Sequence, residues 1–200
     1  NRDELFWRSK LSYIESVGGM KFLRSNLKNS GYQIESQFKN IKNFTMDKFS
    51  DNILFIIERT YNRLSNKSIR EEAFKIFEDI EGLRKLKIND WVIANHSASH
   101  YPVSEENYVD HFVDEYTKCD RFIEKHLEID NPFWVLPFDR QSKRSKRVDK
   151  IFDNLNSNKF LVNVGKKINL KQNIDSKRLY RFGAHITDGI DFQYFIKGIL

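Results

Sequence analysis

Cysteine occurs once, at Cys119, which rules out an intramolecular disulfide and a metal site built from several thiolates. Cys119 falls in a helix predicted over 105–127 and reads as a small, buried or half-buried helix residue, so cysteine usage leaves the compartment undetermined. Long apolar runs are missing too. The strongest, Ile53-Leu54-Phe55-Ile56-Ile57, is far shorter than the ~20 residues of a membrane-spanning helix. The opening Asn1-Arg2-Asp3-Glu4 lacks both an initiator methionine and the basic-then-apolar pattern of a secretory leader. There is no internal repeat and no low-complexity tract, even though the chain carries only three prolines and eight glycines.

Bulky apolar material is plentiful. Of 200 residues, 40% are hydrophobic, with 17 Phe, 8 Tyr and 3 Trp, enough for one folded core, with room for an inserted subdomain. The net charge of +6 raises the question of nucleic acid, and Arg140-Gln141-Ser142-Lys143-Arg144-Ser145-Lys146-Arg147 is the densest basic run. The 28 acidic residues are spread through the rest, and no nucleic-acid-binding motif is present. The run therefore reads as a solvated loop and first helical turn, and nucleic acid is disfavoured as a partner.

Apolar spacing predicts a helix over 5–17, stopped by Gly18-Gly19, then short helices and loops to 43. Thr45 is placed to cap a helix reaching about Leu64, and Ser68-Ile69-Arg70-Glu71 matches a capping box. Another helix is expected over 80–86. From Trp91 the pattern changes. Trp91-Val92-Ile93-Ala94 and Phe133-Trp134-Val135-Leu136 read as buried strands, Phe160–Val164 as a third and Leu179–Gly183 as a fourth, with helices over 105–127 and 148–155 between them. Strands alternating with helices predict parallel βα units.

Directly after the first of these strands comes Asn95-His96-Ser97-Ala98-Ser99-His100-Tyr101-Pro102. Two of the five histidines stand four apart at a strand's carboxyl end, where α/β folds build their sites. Imidazole suits zinc, whose catalytic sites use three protein ligands and a water. The helical zinc-protease pattern requires Glu beside the first His, and Ser97 occupies that place.

The segment resembles the second motif of the polysaccharide deacetylases, the NodB-like carbohydrate esterases, which reads His-(Ser/Thr)-x-x-His. Phe133-Trp134-Val135-Leu136-Pro137-Phe138-Asp139 is similar to that family's third motif, although Val135 stands where many members have Arg and Asp139 where Gly is frequent. Phe6-Trp7-Arg8-Ser9-Lys10-Leu11 and Arg178-Leu179-Tyr180-Arg181-Phe182-Gly183 resemble segments of one bacterial branch. The resemblance covers about 1–16 and 77–200. It implies a single, partial domain over 1–200, an incomplete or distorted (β/α) barrel of α/β class, with 17–76 as a helical insertion.

By the same resemblance, His96 and His100 are ligands of a divalent metal, most readily zinc, and Pro137, Phe138 and Asp139 border the carbohydrate substrate. His185 matches a late general-acid histidine only weakly. The implied activity is hydrolysis of N-acetyl groups on an amino-sugar polymer or oligosaccharide. In the family an Asp completes the metal site and another Asp takes the proton from the attacking water. Both belong to a Thr-Phe-Asp-Asp motif that residues 1–90 do not contain, so the expectation is a chain that starts mid-domain or a degenerate relative, with little activity alone. A non-catalytic carbohydrate-binding or structural relative is the alternative. His111 and His126 read as helix-face residues, and Trp134 as core.

Overall fold

The computed structural model describes residues 5–34, 41–74, 78–139, 143–155, 158–164 and 169–181. The chain divides into two compact units, Asn1–Leu83 and Arg84–Leu200.

The first unit contains α1 (Trp7–Ser16), α2 (Met20–Asn29), α3 (Ile41–Asp47), α4 (Asp51–Leu64) and α5 (Lys67–Phe74), and α6 (Ile80–Ile88) spans the boundary. Leu11 and Ile14 of α1, Leu23 and Leu27 of α2, and Ile53 and Ile57 of α4 are fully buried. Their three- and four-residue spacings put each pair on one helix face, and each burial contributes about 1.5–3 kcal/mol. The expected glycine stop is present. Gly18 adopts φ +74° and Gly19 N–H returns to the Ile14 carbonyl at 2.8 Å, the left-handed ending that glycine permits. A β-carbon at Gly19 would lie 2.3 Å from Leu64 Cδ1 and 3.1 Å from the Ile14 carbonyl, so a larger residue here would require the Leu64 side chain to shift.

Two caps differ from expectation. Thr45 lies inside α3 with its hydroxyl on the Ile41 carbonyl, and Ser50 caps α4 by accepting from Ile53 N–H. The start of α5 is served by Asn66, whose Oδ1 accepts from Ile69 N–H at 2.8 Å, not by Ser68. In both cases a polar residue nearer the chain reversal takes up the orphan amide. α1, which the resemblance joined to residues 77–200, packs on α4 and α2. There Tyr13 Oη donates to the Leu64 carbonyl and Lys10 pairs with Glu58.

The second unit contains a 3-10 turn (Val109–His111), α7 (Phe112–Leu127), β1 (Phe133–Val135), α8 (Arg147–Asn154), β2 (Phe160–Val164), α9 (Lys171–Asp175) and β3 (Arg178–Arg181). The strands form one parallel sheet in the order β1-β2-β3, with Trp134 opposite Leu161 and Val162 opposite Leu179. The predicted βα alternation is therefore present, with α8 and α9 as crossovers. Trp134 and Leu161 are buried with Phe112 and Tyr116 of α7 and Val148 and Phe152 of α8. The Tyr116 ring stacks on Trp134 at 4.7 Å, and the indole N–H donates to Asp120 Oδ2. Trp134 is core, as its sequence context suggested.

The barrel expectation is corrected. The described residues are mostly helical and contain a small open sheet of three strands, with no closure. Alternation of strand and helix dictates parallel neighbours, whereas closure needs enough strands at a matched stagger. The expected buried strand over 91–94 is also absent. Trp91 and Val92 are 67% and 74% exposed, and only Asn95 bridges to Trp134. Four apolar residues in a row satisfy the pattern of a buried strand without supplying a partner.

Candidate metal centre

Asn95 fixes the start of the histidine loop. Its N–H donates to the Phe133 carbonyl at 3.0 Å and its carbonyl accepts from Val135 N–H at 2.7 Å. The side chain is fully buried. Nδ2 donates to the Tyr116 carbonyl and to Asp120 Oδ1, and Oδ1 accepts from Ser97 N–H. A buried amide with donors and acceptor all engaged holds its neighbours in one place.

The chain then doubles back. Ser97 and His100 have φ of +66° and +54°, a left-handed geometry that costs an ordinary residue about 1–2 kcal/mol. Hydrogen bonds hold the turn against that cost. Ser97 Oγ accepts from His100 N–H at 3.0 Å, the Glu115 carbonyl accepts from Ala98 N–H, and the buried Glu115 carboxylate accepts from Ser99 N–H at 2.7 Å. The two imidazoles consequently meet, with Nε2 atoms 3.2 Å apart and ring planes at 83°.

The Val135 carbonyl lies 2.8 Å from His96 Nδ1. A carbonyl only accepts, so Nδ1 carries the proton and the Nε2 lone pair is turned toward His100. Tyr116 Oη donates to the same carbonyl at 2.7 Å. Burial lowers the His96 pKa below its usual value, the Val135 bond opposes this, and the nearby Arg181 charge lowers it further, so the ring is neutral at pH 7. Burial, reinforced by Asp139, pushes the Tyr116 phenol well up and keeps it a donor. Two nitrogens at 2.0–2.1 Å from a tetrahedral zinc stand about 3.3–3.4 Å apart. The observed pair fits that spacing, which an N–H···N hydrogen bond also satisfies. Among the described residues no three His, Cys, Asp or Glu side chains converge, so the arrangement offers two donors.

Of the residues expected beside the substrate, Phe138 reaches the pair. It has φ +53°, and its ring meets that of His100 edge-on at 4.5 Å. Pro137 is buried. Asp139 has a side chain with no exposure and is turned into the fold. There Oδ2 accepts from Val164 N–H at 2.8 Å and Oδ1 lies 3.5 Å from Arg144. His185 lies outside the described residues. His111 sits against Tyr108 and His126 against Phe122. The thiol of Cys119, half-buried, is pushed up to about 11, mainly by burial.

Asn95, Glu115, Tyr116 and Arg181 shape the centre without having been singled out by the sequence reading. Arg181 ends β3, donates to the Leu136 carbonyl at 3.2 Å, and has a buried Nε with no hydrogen-bond acceptor among the described residues. Its position at a strand's carboxyl end was the available signal. The other three are marked only by contacts across the fold.

No helix among the described residues is long and apolar enough to cross a membrane. Compared with models of known families, with curated proteins and with solved structures, the chain gives no match, so its resemblance to the deacetylases stands on its own residues.

Proposed function

We propose that His96 and His100 hold a divalent metal, zinc by ligand chemistry, in a hydrolase that removes N-acetyl groups from an amino-sugar polymer or oligosaccharide. One observation carries this reading: two Nε2 atoms at 3.2 Å, with the His96 lone pair oriented by the Val135 carbonyl. Ligating histidines characteristically donate their other N–H to such an acceptor. The His-Ser-x-x-His resemblance supplies the substrate class. When bound, the metal supplies Lewis-acid polarisation of the acetamide carbonyl and eases loss of a proton from water. The chain's own residues orient the donors: Asn95 and Ser97 set the turn, Tyr116 and Val135 fix the His96 tautomer, and Phe138 walls the His100 side.

A second reading, a carbohydrate-binding relative without catalysis, is favoured by the donor count, since no third ligand converges among the described residues and Asp139 is committed inward. Metal analysis of the purified chain after zinc loading, with His96→Ala and His100→Ala, tests the first. We expect weak, sub-micromolar-failing zinc retention that either substitution abolishes, and release of acetate from acetylated chito-oligosaccharide at a low rate. Zinc retained equally by both variants defeats the metal assignment. Zinc binding with saturable oligosaccharide binding and no acetate release selects the second reading.

A further inference from the structure

A groove of about 350 Å³ runs between α2 and α4 in the first unit, distinct in sequence and in unit from the histidine pair. Arg59 and Arg63 line it, one helical turn apart on α4, and no lining residue is acidic. The Arg63 guanidinium lies over the Phe22 ring at 4.7 Å, which fixes one cation at the wall. The amides of Asn26, Asn29 and Asn52 also line the groove. Asn26 gives one donor to Thr60 Oγ1 and Asn52 gives one to Tyr32 Oη, and each amide also carries an oxygen acceptor and a second N–H. Phe55, a residue 64% exposed, completes the rim.

Each element answers a different part of one ligand. Guanidinium groups without a carboxylate neighbour in the groove bind an anion through paired N–H donors. Side-chain amides, which both donate and accept, match the hydroxyl groups of a sugar. An exposed aromatic ring offers a flat apolar surface to the C–H face of a pyranose. We propose that this groove binds an acidic sugar unit, the carboxylate on Arg59 and Arg63 and the ring against Phe55. The inference stands apart from the metal centre: it would hold for a chain with no hydrolase activity.

Calorimetric titration of the full chain tests it, with tetragalacturonate as the probe and chitotetraose, AMP and inorganic phosphate as comparisons. Tetragalacturonate is expected to bind saturably, more tightly at low salt than at physiological salt. Arg59→Gln and Phe55→Ala are each expected to weaken it about tenfold or more, and His96→Ala to leave it unchanged. Arg59 and Phe55 are exposed, so both variants should fold, and their circular dichroism and melting points should match the parent. The proposal is overturned if tetragalacturonate does not bind, or binds both variants as it binds the parent. Equal or tighter binding of chitotetraose, AMP or phosphate also overturns it, because the carboxylate and the pyranose face would then not be what the groove selects.

Discussion

Among the described residues, left-handed backbone in the first unit falls on Gly18 and Gly31, while in the second it falls on the non-glycine residues Asp90, Ser97, His100, Glu128, Phe138 and Lys177. Buried polar groups divide the same way. The first unit buries Lys10, Thr45 and Thr60. Both threonines return their hydroxyls to a carbonyl four residues back in their own helix, and Lys10 pairs with Glu58. The second buries Asn95, Ser104, Glu115, Asn131, Asp139, Ser145 and Asn163, several of which bond across elements to hold loops at the carboxyl edge of the sheet. Among the described residues, the first unit thus places its left-handed backbone on glycine, and the second accepts strain at the positions that bring its imidazoles together.

Two truncations sharpen the contrast most. Leu11→Ala should cost about 2–5 kcal/mol by opening a cavity in the helical core, yet leave zinc retention by the folded protein unchanged. Asn95→Ala should cost about 2–3 kcal/mol, because Ser97 N–H and Asp120 lose a buried partner, and should abolish zinc retention. Denaturant unfolding with metal analysis checks both, and zinc retention surviving Asn95→Ala would break the link between buried amide and imidazole geometry.

A smaller effect concerns pH. The unfolded chain takes a proton at His96 near its ordinary pKa of 6.5, and the folded site resists it. Stability should therefore fall as pH drops below about 6.5, because the unfolded state then binds more protons. His96→Gln should flatten that part of the profile, which urea midpoints at about pH 7.5 and 5.5 would read. The smallest effects should be of opposite sign. Glu128, exposed at φ +54° as the cap of α7, should gain about 0.5–1 kcal/mol on substitution by Gly. Gly31, at φ +85° with open space around it, should lose about 1 kcal/mol on substitution by Ala. Thermal melts of the two variants provide the comparison.

Much of the second unit was legible because strand and helix carry different periods. The strand expected at Phe160–Val164 matches β2, and those expected at Phe133–Leu136 and Leu179–Gly183 overlap β1 and β3. The pair His96 and His100 was legible from spacing and position. Their mutual geometry was not, since it depends on two left-handed residues and on Glu115, far along the chain. Trp91–Ala94 misled because apolar content does not reveal whether a partner exists. The long helix expected from Glu105 starts later because Glu105 pairs with Arg144 in a bridge, a contact between segments that no local window can contain. In the first unit the break between α3 and α4 was missed because apolar residues continue through it, while Ser50 turns the chain.

The carbonyl of Val135 serves two donors, Tyr116 and His96, and has no third lone pair to offer. A half-turn of the His96 ring would put carbon where Nδ1 now meets that oxygen and where Nε2 now faces His100, losing both contacts, so they hold the imidazole in one orientation. With His96 held in this way, Phe138 stands as the gatepost on the His100 side of the pair.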